Sequence, residues 1–248
     1  GRRPLRSTIM SGPLPLRFLC SASKAEQLPD AEVEVAVVGR SNVGKSSLLN
    51  ALAGQKRLAH TSKTPGRTQL LNLFELGDGT TAVDLPGYGF AAVPNHARRG
   101  WQEMIEGYLL GRRGLVRVLV LVDGEIGPTK LDVQMLHWLR SHELPHTVVA
   151  SKADKVKPSK RGVRRRDVAD GCGVMLDEVI WVSAAKGDGI EKLRGQIHRW
   201  LADGVQRWQP PEPLDAPLTP STHTSDGRAG DPSADGAVDE YDDEHEWN

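Results

Sequence analysis

Glu34-Val35-Ala36-Val37-Val38-Gly39-Arg40-Ser41-Asn42-Val43-Gly44-Lys45-Ser46-Ser47-Leu48-Leu49 is the stretch that decides how this chain folds. It begins as an apolar, β-branched run, read as a strand over Glu34–Val38. From Gly39 to Ser47 it then fits G-x-x-x-x-G-K-[ST] and opens a helical pattern over Lys45–Leu52. The spacing has a chemical reason. Glycines let the backbone curl round a phosphate with its N–H groups inward, and the start of the helix adds a favourable dipole. Lys45 then reaches the β- and γ-phosphates, and the Ser46 hydroxyl ligates Mg²⁺. A chance glycine-rich turn would need neither the strand before nor the helix after. Gly39, Arg40, Ser41, Asn42, Val43, Gly44, Lys45 and Ser46 are therefore expected to hold a nucleoside triphosphate.

Outward from this loop the same alternation continues. Further strands are expected at Leu70–Phe74, Thr81–Asp84, Arg117–Val122, Thr147–Ser151 and Val179–Val182, with Leu16–Leu19 as an added edge. Helical patterns lie between them at Trp101–Leu110, Leu131–Ser141, Arg164–Ala169 and Glu191–Leu201. Leu131, Met135, Leu136 and Leu139 form one helical stripe, and Ile190, Leu193, Ile197 and Leu201 form another. Apolar strands spaced by helices predict an α/β fold: a doubly wound, mostly parallel sheet with helices on both faces.

Composition excludes several other classes. The chain has 248 residues, 38% of them hydrophobic, and balances 32 basic against 32 acidic side chains. Its two cysteines, Cys20 and Cys172, cannot build a disulfide framework, so a reducing, cytoplasmic setting is expected. The longest uninterrupted apolar stretch, Val118–Val122, is far short of the roughly 20 residues a membrane helix needs. The neutral total also hides an asymmetry. Residues 210–248 carry eleven acids against one base, Arg228, which leaves a net charge of +10 on residues 1–209. With six prolines and few large apolar residues, that tail is expected to be disordered. Residues 1–15 are likewise expected to lie outside the domain, residues 1–9 as an upstream segment if Met10 is the initiator. The arginines before Glu26 have the composition of a transit peptide. The resulting division is 1–15, a nucleotide-binding domain over 16–209, and an acidic tail over 210–248.

The base is read further along. Ser151-Lys152-Ala153-Asp154 follows an expected strand and resembles the [NT]-K-x-D guanine motif. A carboxylate offers two acceptors to the N1–H and 2-amino donors of guanine, whereas adenine would leave Asp154 unpaired. Lys152 can cover the ring with its alkyl stem, and Ser151 departs from the usual Asn or Thr but keeps a hydroxyl. Val182-Ser183-Ala184, continuing into Ala185-Lys186, resembles the loop that closes over the base. Asp84-Leu85-Pro86-Gly87 fits D-x-x-G, in which the Asp holds the Mg²⁺ water and the Gly N–H reads the γ-phosphate. Upstream, Thr64-Pro65-Gly66-Arg67-Thr68-Gln69-Leu70 supplies a hydroxyl that completes the Mg²⁺ shell when γ-phosphate is present. Thr68 is the chosen ligand and Thr64 the runner-up. Lys45, Asp84 and Gly87 form the expected catalytic set, Ser46 and Thr68 the metal ligands.

Together these strings resemble the EngB (YihA/YsxC) family of GTPases, in the translation-factor-related TrmE-Era-EngA-EngB class. The resemblance rests on Gly39–Ser47, on Thr61-Ser62-Lys63-Thr64-Pro65-Gly66-Arg67-Thr68-Gln69, on Asp84-Leu85-Pro86-Gly87-Tyr88-Gly89 and on Ser151-Lys152-Ala153-Asp154-Lys155. The lead-in Arg17-Phe18-Leu19-Cys20-Ser21-Ala22 matches as well, which weakens the transit-peptide reading. The resemblance spans about residues 16–206 and excludes the tail. It implies a P-loop GTPase fold, slow GTP hydrolysis, and a role in large ribosomal subunit assembly, with division septum formation also attached to the family. Two alternatives stay open: a GTP- or GDP-holding module with little hydrolysis, since Tyr88 stands where many GTPases place a water-orienting Gln, and a tRNA-modification-type sister GTPase.

A monomer that meets ribosomal RNA through a basic surface is expected. Lys155, Lys157, Lys160, Arg161, Arg164, Arg165 and Arg166 place seven cations in twelve residues, and Arg98-Arg99 and Arg112-Arg113 add to them. The acidic tail would screen that surface. Asn42 suggests a K⁺ ion beside the phosphates, against the plainer reading of an Asn in a tight turn.

Overall fold

The computed structural model describes residues 12–59, 70–77, 79–89 and 95–207. The chain divides into two units, Gly1–Trp208 and Gln209–Asn248, and every described residue belongs to the first. The acidic tail, the first eleven residues and the segment 60–69 thus lie outside the described residues.

Seven strands form one mixed sheet in the order β1-β3-β4-β2-β5-β6-β7. They are β1 (Arg17–Ala22), β2 (Val33–Gly39), β3 (Leu71–Gly77), β4 (Thr80–Asp84), β5 (Leu115–Asp123), β6 (His146–Ser151) and β7 (Ile180–Trp181). Among the described residues five α-helices accompany them: α1 (Lys45–Ala53), α2 (Asn95–Gly111), α3 (Lys130–Ser141), α4 (Arg161–Cys172) and α5 (Ile190–Arg207). β2 is flanked by β4 and β5 in parallel, and β5, β6 and β7 continue the parallel run. The departure is at the other edge, where β3 runs antiparallel to β4 and β1 antiparallel to β3.

All seven residues of β2 are buried, as a central strand covered on both faces requires. On one face Val35 and Val37 pack with Leu48, Leu49 and Leu52 of α1 and with Leu193, Ile197 and Leu201 of α5. On the other, Glu34 meets Tyr108 of α2, and α3 packs on β5. Removing one of these fully buried leucines costs about 2–5 kcal/mol, from lost transfer energy and the cavity left behind.

The parallel register has a functional consequence. Val37 pairs with Asp84, Gly39 with Leu121, and Asp123 with Ser151, so the carboxyl ends of β2, β4, β5 and β6 reach one edge together. That edge is where open α/β sheets place their ligands.

Several boundaries differ from expectation. β1 is Arg17–Ala22 rather than Leu16–Leu19, β3 begins at Leu71 rather than Leu70, α2 begins at Asn95 rather than Trp101, and α5 runs on to Arg207 rather than ending at Leu201. The last strand is Ile180–Trp181 rather than Val179–Val182, because the chain leaves the ladder at Val182 to enter the next loop. α4 begins at Arg161, three residues before the predicted start, because Pro158–Lys160 forms a 3-10 turn that leads straight into it.

Candidate nucleotide site

The loop after β2 is shaped by two left-handed residues. Asn42 has φ 65° and Gly44 φ 107°, and Gly44 caps α1. Such φ values suit Gly and, next best, Asn. They swing the loop round so that Lys45 and Ser46, both half-buried, start the helix. Gly39 meets the backbone and side chain of Leu121 from β5, with an added Cβ at 2.9 Å from the Leu121 carbonyl. Any larger residue there would push the loop off the sheet.

The segment after β4 lies alongside this loop. Leu85 N–H donates to the Val37 carbonyl at 3.0 Å, Tyr88 N–H to Gly39 at 3.3 Å, and Ser41 N–H to Tyr88 at 2.9 Å. A Cβ on Gly87 would sit 3.0 Å from the Ser41 Cα, N and Oγ, so the two segments touch backbone to backbone. Asp84, Leu85 and Pro86 are buried. Burial raises the Asp84 carboxyl to a pKa of about 6, against the lowering pull of the Lys45 ammonium. Its Oδ1 is buried with no hydrogen-bond partner among the described residues. Buried carboxylate oxygens are nearly always satisfied, so this one fits a divalent cation or its bound water.

The third group comes from β6 and β7. Ser151, at the end of β6, is buried and donates its hydroxyl to the Val43 carbonyl at 2.7 Å, with Val122 O farther away at 3.2 Å. It therefore fastens the phosphate-type loop to the base-type motif. Lys152 has φ 53° and sends Nζ to Asp123 Oδ2 at 2.7 Å. Burial pushes the Asp123 carboxyl up, but the Lys152 ammonium and the backbone amides of Ile126 and Glu125 outweigh it and hold the group ionised. Ala153 N–H donates to the Val182 carbonyl at 3.0 Å. Ser183 is fully buried, and its hydroxyl donates to Asp154 Oδ1 at 2.7 Å while accepting from Lys186 N–H. The Ser183 hydrogen bond, foremost, holds Asp154 below the usual carboxylate range. Ala184 follows, half-buried, in the same turn.

Four separate loops thus meet at one sheet edge: Gly39–Ser46, Asp84–Gly87, Ser151–Asp154 and Val182–Ala184. Leu70 immediately precedes β3, 39% exposed. Gly66, Arg67, Thr68 and Gln69 lie outside the described residues. Several contacts had no clear signal in the sequence. Besides the roles of Ser151 and Ser183, Asp123 ends β5 with nothing to mark it. The Tyr88 hydroxyl donates to Asp132 Oδ1 at 2.7 Å on α3, so its phenol is turned into the fold. Asp132 also accepts from Thr129 N–H and Oγ1, both at 2.8 Å, as the N-terminal capping box of α3.

Comparison with known proteins agrees with this geometry. Residues 34–152 match the family described as 50S ribosome-binding GTPase. The chain is similar to the probable GTP-binding protein EngB of Geobacter sulfurreducens, 42% identical over 188 residues that cover 75% of this chain and 91% of that protein. It is 44% identical to its counterpart in Pelotomaculum thermopropionicum over 186 residues, 74% of this chain and 94% of that one. A crystal structure of a probable GTP-binding protein EngB aligns with a TM-score of 0.57 at 27% identity, over 69% of this chain and 100% of the other. Era in complex with MgGDPNP and nucleotides 1506–1542 of 16S ribosomal RNA aligns with a TM-score of 0.52 at 25% identity, over 73% of this chain and 58% of that one.

Proposed function

The chain belongs to the EngB family of GTP-binding proteins, P-loop GTPases, and from that premise we propose that it uses GTP hydrolysis as a switch in assembly of the large ribosomal subunit. One observation carries the reading: the loops after β2, β4, β6 and β7 bring the glycine-rich loop, the Asp84 carboxylate with its unpartnered Oδ1 and the Asp154 carboxylate to a single edge. The backbone N–H groups of Ser41–Ser46 and the Lys45 ammonium would hold the β- and γ-phosphates. Asp154 would accept from the N1–H and 2-amino group of guanine, with Ser183 fixing its orientation and Lys152 covering the ring.

Ser46, Thr68 and, through water, Asp84 would hold Mg²⁺. Among the described residues no cluster of three or more His, Cys, Asp or Glu could cage a metal. That suits Mg²⁺, which keeps its waters and shares ligation with phosphates. When bound, the ion offsets charge building on the phosphate oxygens. This chain's own contribution is positional. Lys45 would neutralise phosphate charge, and the Gly87 N–H would bond the γ-phosphate. The Tyr88 phenol, committed to Asp132, leaves no side-chain amide at that position to orient water, so turnover is slow without a partner. A K⁺ beside Asn42 would add positive charge, although the left-handed backbone of Asn42 explains the residue on turn geometry alone.

Charge points to the partner. Lys155, Lys157, Lys160, Arg161, Arg165 and Arg166 are exposed near the base motif, in keeping with a polyanionic surface such as ribosomal RNA. GTP turnover with and without large-subunit precursor particles tests the reading. Stimulation by the particles is expected, and equal turnover would remove the assembly role.

A further inference from the structure

β7 closes the parallel edge of the sheet, opposite β1. Beside it lies a cavity of about 940 Å³, bordered by α4 and the start of α5. Its size is at the upper end of ligand sites, which run from about 300 to 1,000 Å³. Its buried apolar lining is Val156 and Val179 with the half-buried Trp181 as the floor, and two further apolar side chains, Met175 and Leu176, also line it. The last two are 68% and 51% exposed. Arg161, Arg165 and Lys192 line it too, all exposed, and the Arg165 guanidinium lies 5.9 Å from the Trp181 ring centroid. Trp181 carries a second anomaly. Its indole Nε1–H is buried with no hydrogen-bond partner among the described residues.

We propose that this groove binds unpaired nucleotides of an RNA strand, bases against Trp181 and the apolar floor, phosphates on Arg161, Arg165 and Lys192. The inference rests on the ribosomal reading above and specifies how that partner is held. A flat aromatic face, an apolar floor and a cationic border are what single strands require, because every base has a π-face and every link a negative charge. Lys155, Lys157, Lys160 and Arg166, close to Arg161 and Arg165 along the chain, are exposed too and would offer the backbone further cations. Two carboxylates, Asp177 and Asp188, also line the cavity. They keep phosphates to the cationic side of the groove and can accept from base amino groups. A paired duplex keeps its bases stacked inside and cannot reach the floor.

The test uses the full chain and a roughly 12-nucleotide unstructured RNA, free or annealed to its complement, read by fluorescence anisotropy. Wild type should bind the single strand about tenfold tighter than the duplex, and Trp181→Ala should lose about tenfold. Trp181→Phe should recover most of that loss. Met175→Glu, a change at an exposed site that does not disturb the core, should weaken single-strand binding as well. GTP affinity should hold in all three. Equal single-strand affinity in Trp181→Ala and Met175→Glu, a preference for duplex, or no wild-type binding to the oligonucleotide would each overturn the groove. A parallel sedimentation arm with large-subunit precursor particles separates the two readings. Particle binding that persists while the oligonucleotide arm fails overturns the groove alone. Absence of particle binding overturns the ribosomal reading.

Discussion

Asp154 has one oxygen engaged by the Ser183 hydroxyl at 2.7 Å, which fixes the carboxylate while leaving acceptor capacity on both oxygens. If it reads guanine, Asp154→Asn places an N–H against guanine donors and should cost roughly 2 kcal/mol, about thirtyfold in affinity. Xanthine has a carbonyl in place of the 2-amino group and should gain. A competition titration between the two nucleotides checks this, and unchanged GTP affinity would mean that Asp154 does not read the base. Ser183→Ala should weaken GTP by about fivefold, near 1 kcal/mol, because an unheld carboxylate must be ordered on binding. At the phosphate end, Lys45→Ala should abolish tight triphosphate binding while the thermal midpoint stays put. Ser46→Ala should chiefly weaken the Mg²⁺-dependent part. Wild-type turnover in both variants would remove the loop from the chemistry.

The elements act through the ties between them, and the Ser151 hydroxyl is the clearest. It has one proton to give, and the Val43 carbonyl at 2.7 Å is the nearer acceptor. Ser151→Ala should leave that buried carbonyl unpaired, costing about 1–2 kcal/mol, and should loosen the phosphate loop. A lowered thermal midpoint and a weaker nucleotide titration are expected together, with Ser151→Thr restoring both. Such ties also mark where sequence reading stops. The strand-loop-helix unit from β2 to α1 is legible because its glycines and its lysine sit at fixed offsets. The order of helices and strands is legible from periodicity. The antiparallel sense of β1 and β3 is not, since an alternating apolar run looks the same in either direction. The Ser151 contact spans 108 residues along the chain, a separation that no local pattern encodes. Thr68 and its neighbours, read from the sequence as the switch, lie outside the described residues.

Across the whole molecule the cations fall into two groups, and charge counting alone cannot sort them. Arg112 reads with Arg113 as surface in the sequence, yet its side chain is 9% exposed and bonded twice to the fully buried Glu34 at 2.9 Å. Tyr108 and Thr81 complete that carboxylate at 2.6 and 2.7 Å. Arg112→Ala should cost about 3–5 kcal/mol by stranding a buried charge, visible in a urea melt and leaving nucleotide selectivity unchanged. Arg194 is likewise spent, on the Leu52 and Ala51 carbonyls at the end of α1, and Arg117 stacks 5.1 Å from the Trp200 ring centroid. Arg164 is partly tied to Asp167 and the Ile126 carbonyl, and Arg98-Arg99 have side chains outside the described residues. Lys157, Lys160 and Arg166 are exposed. If these three meet RNA phosphates, each releases counterions on binding, and affinity for ribosomal particles falls steeply with salt. Replacing all three by Ala should lower the slope of log affinity against log salt by about two, at roughly 0.7–0.9 for each phosphate no longer neutralised. Backbone contacts carry no sequence, so the weakening should be similar for any RNA of equal length. GTP affinity should not move, because none of the three belongs to the nucleotide loops. A triple variant that follows the wild-type salt curve would exclude this face from docking and leave the phosphate and base loops as they stand.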